Sequence, residues 1–119
     1  MNRDDMQKRT MRMALEVIKL TKLFPNCHEG KVISYQIIKS STSTAANYRA
    51  AGRAKSTKDF ISKLCIAEEE CDETLFWLDF IIDAKLLSQQ FCSPLSKEVS
   101  ELLAIIVSSI KSAKRHLNT

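Results

Sequence analysis

Apolar side chains recur along this chain at alternating steps of four and three. Met6, Met13, Val17, Leu20 and Phe24, with Thr10 in the same register, step 4-3-4-3-4. Such spacing keeps them on one stripe of an α-helix, the seam of a helical bundle. The pattern predicts a first helix over residues 4–24, with Met11, Leu15 and Ile18 as a flanking stripe. Asp4 and Asp5 suit the positive dipole end of that helix. Pro25 stops it, since proline lacks the N–H that a helix needs.

A second helix is predicted over residues 29–51. Its first half is apolar on one side (Val32, Ile33, Ile37, Ile38), and its second half turns small and hydroxylated from Ser40 to Ala46. Ser and Thr are mediocre helix formers. No Gly or Pro occurs there, however, and the seam continues through Ile33, Ile37, Ser40, Thr44, Asn47 and Ala51. The stretch is therefore helix, with small residues that let neighbouring backbones approach. Gly52 to Thr57 forms a turn, and Ser56 or Thr57 caps the next helix.

The third helix is predicted over residues 58–87, with Phe60, Leu64, Ala67, Cys71, Thr74, Leu78 and Ile81 as its inner seam. From Leu75 to Ile82 (LFWLDFII) it is apolar nearly all round, interrupted by Asp79 alone. A helix with one solvated face does not read that way. Either the other helices enclose it or a second subunit covers it, and in so small a bundle the second subunit is expected. Ser88 to Ser93 reads as a loop, with Pro94 opening a fourth helix. Its seam is read as Val99, Leu103, Ile106, Ile110, Ala113 and Leu117, and Lys111, Lys114 and Arg115 suit its C-terminal end. Four helices with short connections predict an all-α, up-down-up-down antiparallel four-helix bundle spanning residues 1–119 as one domain.

Composition narrows the picture. Two Gly and two Pro in 119 residues argue against an all-β fold. No run approaches 18 apolar residues, and the N-terminal MNRDDMQKRTMRM lacks the apolar core of a signal peptide, so a cytoplasmic protein is expected. Four Cys without a CxxC pair read as reduced thiols, most of them buried. The net charge of +4 permits an anionic partner without demanding one.

Two charge constellations stand out. Arg49, Arg53, Lys55 and Lys58 make a basic turn, either a clamp for phosphate or carboxylate or a solvated turn. Glu68, Glu69, Glu70, Asp72 and Glu73 make an acidic run. A hairpin centred on residues 54 and 55 sets Glu70 level with Lys39 and Arg49 level with Phe60. The acidic cluster then lies about ten residues, ~15 Å along the axis, from the arginines. Basic turn and acidic run would pair between subunits rather than within one, unless the run is merely a solvated face. Trp77 with Leu75, Phe76 and Phe80 reads as core or interface, or else as a base-stacking platform. Asn47 on the seam fixes helix register or bonds to a neighbouring backbone.

Catalytic chemistry finds little support. His28 and His116 are the two histidines, and neither follows a Glu by three, so the paired Glu-x-x-His motif of di-iron bundles is missing. Cys27-His28 has no second ligand pair for zinc. No Arg precedes a His at ribonuclease spacing, and no phosphate loop or nucleophile motif occurs. No metal or cofactor is expected.

The stretch from Ser43 to Leu78 resembles the bacterial four-helix-bundle proteins encoded in intervening sequences of 23S rRNA genes. Ser43, Asn47, Tyr48, Arg49, Arg53, Ser56, Asp59, Phe60, Lys63, Glu68, Glu69, Glu70, Asp72, Glu73, Trp77 and Leu78 carry the likeness. Ala50 stands where many members have Glu. The resemblance implies a homopentameric, barrel-like ring. It also implies kinship with the accessory variability determinant of diversity-generating retroelements, a basic pentamer that binds nucleic acid and a reverse transcriptase. The expectation is thus a non-enzymatic homo-oligomer with RNA or DNA, and by analogy a reverse transcriptase, as partners. Arg49, Arg53, Lys55 and Lys58 would contact phosphates. Glu68, Glu69, Glu70, Glu73, Phe76, Trp77 and Phe80 would lie at the subunit interface. The alternative is a protein-interaction scaffold that binds no nucleic acid.

Overall fold

Asn2 closes the start of the first helix. Its side-chain oxygen accepts the Asp5 N–H at 2.9 Å while Asp5 Oδ2 accepts the Asn2 N–H at 3.3 Å, a reciprocal capping box. In the computed structural model, which describes residues 1–117, α1 runs Arg3–Thr21 and α2 His28–Ala51. They are followed by α3 over Thr57–Asp83 and α4 over Gln89–Leu117. Each packs on the next, and α4 returns to α1, in a bundle 52 × 21 × 21 Å.

Apart from Phe24, Asn47 and Phe60, which are half-buried, the first three seams are those the spacing predicts. Met6, Thr10, Met13, Val17 and Leu20 of α1 are buried, as are Ile33, Ile37, Ser40, Thr44 and Ala51 of α2. Leu64, Ala67, Cys71, Thr74, Leu78 and Ile81 of α3 complete them. The hydroxyl-rich half of α2 is helix, and its hydroxyls bond back to carbonyls one turn earlier, as Thr44 Oγ1 does to Ser40 O at 2.8 Å. Ser40 also meets Thr74 across the α2–α3 seam at 2.8 Å. Asn47 does not reach a neighbouring helix. It is half-buried and donates to Ser43 O at 2.9 Å on its own helix.

Several expectations are corrected. Leu23 and Phe24 lie in a tight turn beyond α1, with Phe24 half-buried against the core. Helix α3 stops at Asp83 instead of residue 87, because Lys85 turns left-handed (φ 59°) and Leu86 N–H bonds back to Ile81 O at 3.0 Å. Helix α4 begins at Gln89, so Pro94 sits inside it rather than opening it. Burying Cys92 and Leu95 against the core holds those first turns helical despite the missing Pro94 N–H. On α4 the core position is Leu102; Leu103 is half-buried and Leu117 exposed. All four Cys are free thiols, but two, Cys71 and Cys92, are buried rather than most.

Candidate functional site

Which side chains share a surface depends on how the helices are levelled. The Ser40–Thr74 contact fixes the α2–α3 register. Counting nine residues from it brings Arg49 level with Cys65, not with Phe60 as a turn centred on residues 54 and 55 would have it. Glu68 is then within one turn of the arginine level, nearer than expected. The charges still stay apart, for a different reason: they lie on opposite flanks of the bundle.

Arg49 and Arg53 line a groove of about 640 Å³ between α1 and α2, with Lys8, Met11, Leu15 and Ile18 along its α1 wall. Met11 and Leu15 are each more than half exposed, at 53% and 54%. Neither arginine enters an ion pair among the described residues. Glu68, Glu69 and Asp72 line a groove of about 470 Å³ between α3 and α4, beside Cys65, Leu103 and Val107. Thus one flank is basic with an apolar floor, and the opposite flank at the same height is acidic with an apolar floor.

The acidic run divides. Glu70 and Glu73 turn toward α2, where Lys39 lies near. Partial burial, then the neighbouring Glu73, pushes the Glu70 carboxyl above the usual range, a trend Lys39 only partly offsets. Trp77 stands on the same shoulder, its Nε1–H donating to Glu73 Oε2 at 3.3 Å. It makes an edge contact with Phe76 (centroids 4.9 Å) and another with Phe80 (5.7 Å). Phe76 is 53% exposed and Phe80 43%, so the four helices of one chain do not enclose this segment.

The basic turn is also part of something larger. An even number of antiparallel helices returns α4 to the end of the bundle that carries the α2–α3 turn. Arg53, Lys55 and Lys58 are all exposed there, and Lys111, Lys114 and Arg115 on the last turns of α4 are exposed as well. Arg3 Nη1 reaches Gly52 O at 3.4 Å at the same end. From Arg9–Glu98, six residues back along α1 reach Arg3 level with Ala104, so α4 from Ile105 onward projects past α1. The projecting tip consists of the start of α3 and the end of α4. Sequence reading assigned the α4 cations only to their helix end. Helix parity was the signal that could have joined them to the turn. Two nearby carboxylates are occupied, Asp5 in the α1 cap and Asp59 accepting Lys55 N–H at 3.1 Å, while Asp4 is exposed in the first turn of α1. That bond, reinforced by Lys63, holds Asp59 below the ordinary carboxylate range.

A third flank, between α4 and α1, is bridged by charge at the level of Arg9, above which a groove of about 710 Å³ opens between Leu20, Leu23, Phe91 and Pro94. Arg9 donates to both carboxylate oxygens of Glu98 (2.7 and 2.6 Å) and to Glu101 (2.5 Å). Among the described residues no group of three or more His, Cys, Asp and Glu could hold a metal ion, and no helix is long and apolar enough to cross a membrane.

The profile of the 23S rRNA-intervening sequence proteins matches residues 3–108, from the first residue of α1 to well into α4. The chain belongs to that family. A crystal structure from Bacteroides thetaiotaomicron, described as a protein of unknown function from the S23 ribosomal protein family, superposes with a TM-score of 0.83. It is 32% identical, over 89% of this chain and 98% of that one. No curated protein matches. In this family member, then, the bundle is shared with a solved relative whose own function is open, and the grooves and tip are what a functional reading must rest on.

Proposed function

We propose that this chain is a non-catalytic, cytoplasmic protein that assembles with copies of itself and holds RNA or DNA on its basic tip. One observation carries the reading: complementary charge, at one height, on opposite flanks. The α1–α2 groove of one copy, with Arg49, Arg53 and Lys8, matches the α3–α4 groove of another, with Glu68, Glu69 and Asp72. A contact between two different patches is heterologous, and patches at one height give no axial rise between copies, a condition for a closed ring rather than a helical filament. The family resemblance implies five copies. Docking by these flanks leaves two shoulders, one turned toward the ring axis. The apolar α2–α3 shoulder with Phe76, Trp77 and Phe80 suits the axis, and the charged α4–α1 side suits the outside.

In such an assembly the phosphate contacts fall to Lys55, Lys58, Lys111, Lys114 and Arg115, repeated around the ring so that weak sites act together. Arg49 and Arg53, read from sequence as phosphate ligands, serve the joint between copies. Light scattering coupled to size exclusion, with and without a short RNA, tests both parts. Arg49→Glu with Arg53→Glu should dissociate the assembly, and adding Glu68→Lys with Glu69→Lys should restore it. Lys55→Glu with Lys58→Glu should abolish RNA binding and leave the mass unchanged. An assembly indifferent to the arginine reversal overturns the joint. A wild-type assembly that binds no RNA or DNA leaves the protein-only scaffold as the function.

A further inference from the structure

Just beyond the acidic groove, the same α3–α4 flank changes character. A cleft of about 580 Å³ opens between the first turn of α3 and the last turns of α4, lined by Thr57, Phe60, Ser108, Ser109, Ser112 and His116. No carboxylate lines it. Ser109 Oγ is committed to Ile105 O at 2.9 Å, so Thr57, Ser108 and Ser112 supply the hydroxyls that face the cleft. Phe60 is half-buried, packed against the core on one side and part of the cleft wall on the other. Exposed cations rise on both rims, Lys58 on α3 and Lys111 and Arg115 on α4. The cleft lies in the part of α4 that projects past α1, so flank-to-flank docking at the level of Glu68 brings a partner's Arg53 level with its Phe60 end and leaves the Thr57, Ser112 and His116 end open.

We infer that this cleft seats one nucleotide of a single strand, and the inference rests on the nucleic-acid reading above. Hydroxyl donors between cationic rims fit a phosphodiester, whose anionic oxygens accept from several neutral donors while the cations neutralise its charge. The volume falls within the ordinary span of ligand sites. A ring in the wall offers a base a face to stack on, which suits a single strand, whose bases are free to turn out, and not a duplex, whose bases are already stacked. Phosphates on either side of the seated nucleotide then reach Lys55 and Lys58 in one direction and Lys111 and Arg115 in the other.

Fluorescence anisotropy with labelled oligo(U), oligo(dT) and a duplex RNA of equal length tests the assignment on the full chain. Ser112→Glu places a carboxylate among the hydroxyls and should weaken single-strand binding about tenfold. Phe60→Leu keeps the core contact, removes the ring and should cost about fivefold or more for the single strands and nothing for the duplex. Both variants should keep the wild-type assembly mass and helical circular dichroism. The ratio of oligo(U) to oligo(dT) affinity tells RNA from DNA as the source of the strand. If both variants bind single strands as the wild type does while Lys55→Glu with Lys58→Glu abolishes binding, the cleft is not the site and the tip reading stands. If the wild type binds none of the three probes, the cleft and the nucleic-acid function fall together.

Discussion

Ser40 Oγ and Thr74 Oγ1 meet at 2.8 Å in the buried seam between α2 and α3, where one hydroxyl donates across the seam and the other to a carbonyl of its own helix, Ile37 O or Glu70 O. The pair joins two helices without leaving a polar atom unsatisfied when either side chain is shortened. Ser40→Ala or Thr74→Val should therefore cost only about 1 kcal/mol each. Ser40→Leu forces the backbones apart and should cost about 2–3 kcal/mol. Urea denaturation gives all three values. A Ser40→Leu variant as stable as the wild type would show that the seam has slack.

The Arg9–Glu98 clamp predicts an acid limit to stability. Arg9 holds the Glu98 carboxyl below its ordinary range, chiefly by their direct hydrogen bonds. A carboxyl depressed on folding stabilises above its unfolded value, near 4.3, and that contribution fades as pH falls through the folded value. Stability should therefore drop as pH falls below about 4.3, and Arg9→Met should flatten that slope. With side-chain exposure of 18% and 29%, the loss at neutral pH should be about 1–2 kcal/mol. Melting curves from pH 7 to pH 3 decide it; parallel curves for wild type and variant would remove the clamp from the account.

Thiol labelling reports on the flank. Burial pushes the Cys71 thiol up to about 12 and raises that of Cys92, so neither should react with iodoacetamide at pH 8 in the native protein. Cys65, half-buried in the acidic groove, should react in the dissociated Arg49→Glu, Arg53→Glu variant and be protected in the wild-type assembly. Cys27, in the turn at the other end of the bundle, serves as the internal reference. Its own thiol is raised chiefly by a hydrogen bond with Glu29, which slows labelling equally in both samples. Equal Cys65 rates in both would place the joint elsewhere.

Lys85 is the one non-glycine residue with positive φ among those described. It occupies the left-handed position of a Schellman turn, with Lys85 N–H on Ile82 O and Leu86 N–H on Ile81 O, both at 3.0 Å. Lys85→Gly relieves the Cβ crowding and should stabilise the bundle by about 0.5–1 kcal/mol. A fall in melting temperature would count against it.

Three seams were legible because each offered a single apolar register. Helix α4 was not, since Leu102 and Leu103 both continue a four-three pattern from Val99 to Ile106 and only packing against α1 and α3 chooses between them. Pro94 misled for a related reason: local chemistry favours it at a helix start, and burial of Cys92 overrides that preference. The basic turn was visible as a run of cations. Its division into a flank pair and a tip was not, because Lys114 and Arg115 join it from more than fifty residues away and the side on which Arg49 lies depends on α1.

The hydroxyls that α2 turns back onto its own backbone have one more consequence. Ser40, Ser41 and Thr44 let α2 approach its neighbours closely, and Met13, Leu64, Leu78 and Ile106 fill the rest of the interior. The grooves of the α1–α2, α3–α4 and α4–α1 flanks are open volumes between neighbouring helices at the surface. Other four-helix bundles use the space along their axis to hold iron or haem; here that space is already occupied. What this chain offers to other molecules is therefore its surface, where opposite charges face outward at one height on opposite flanks.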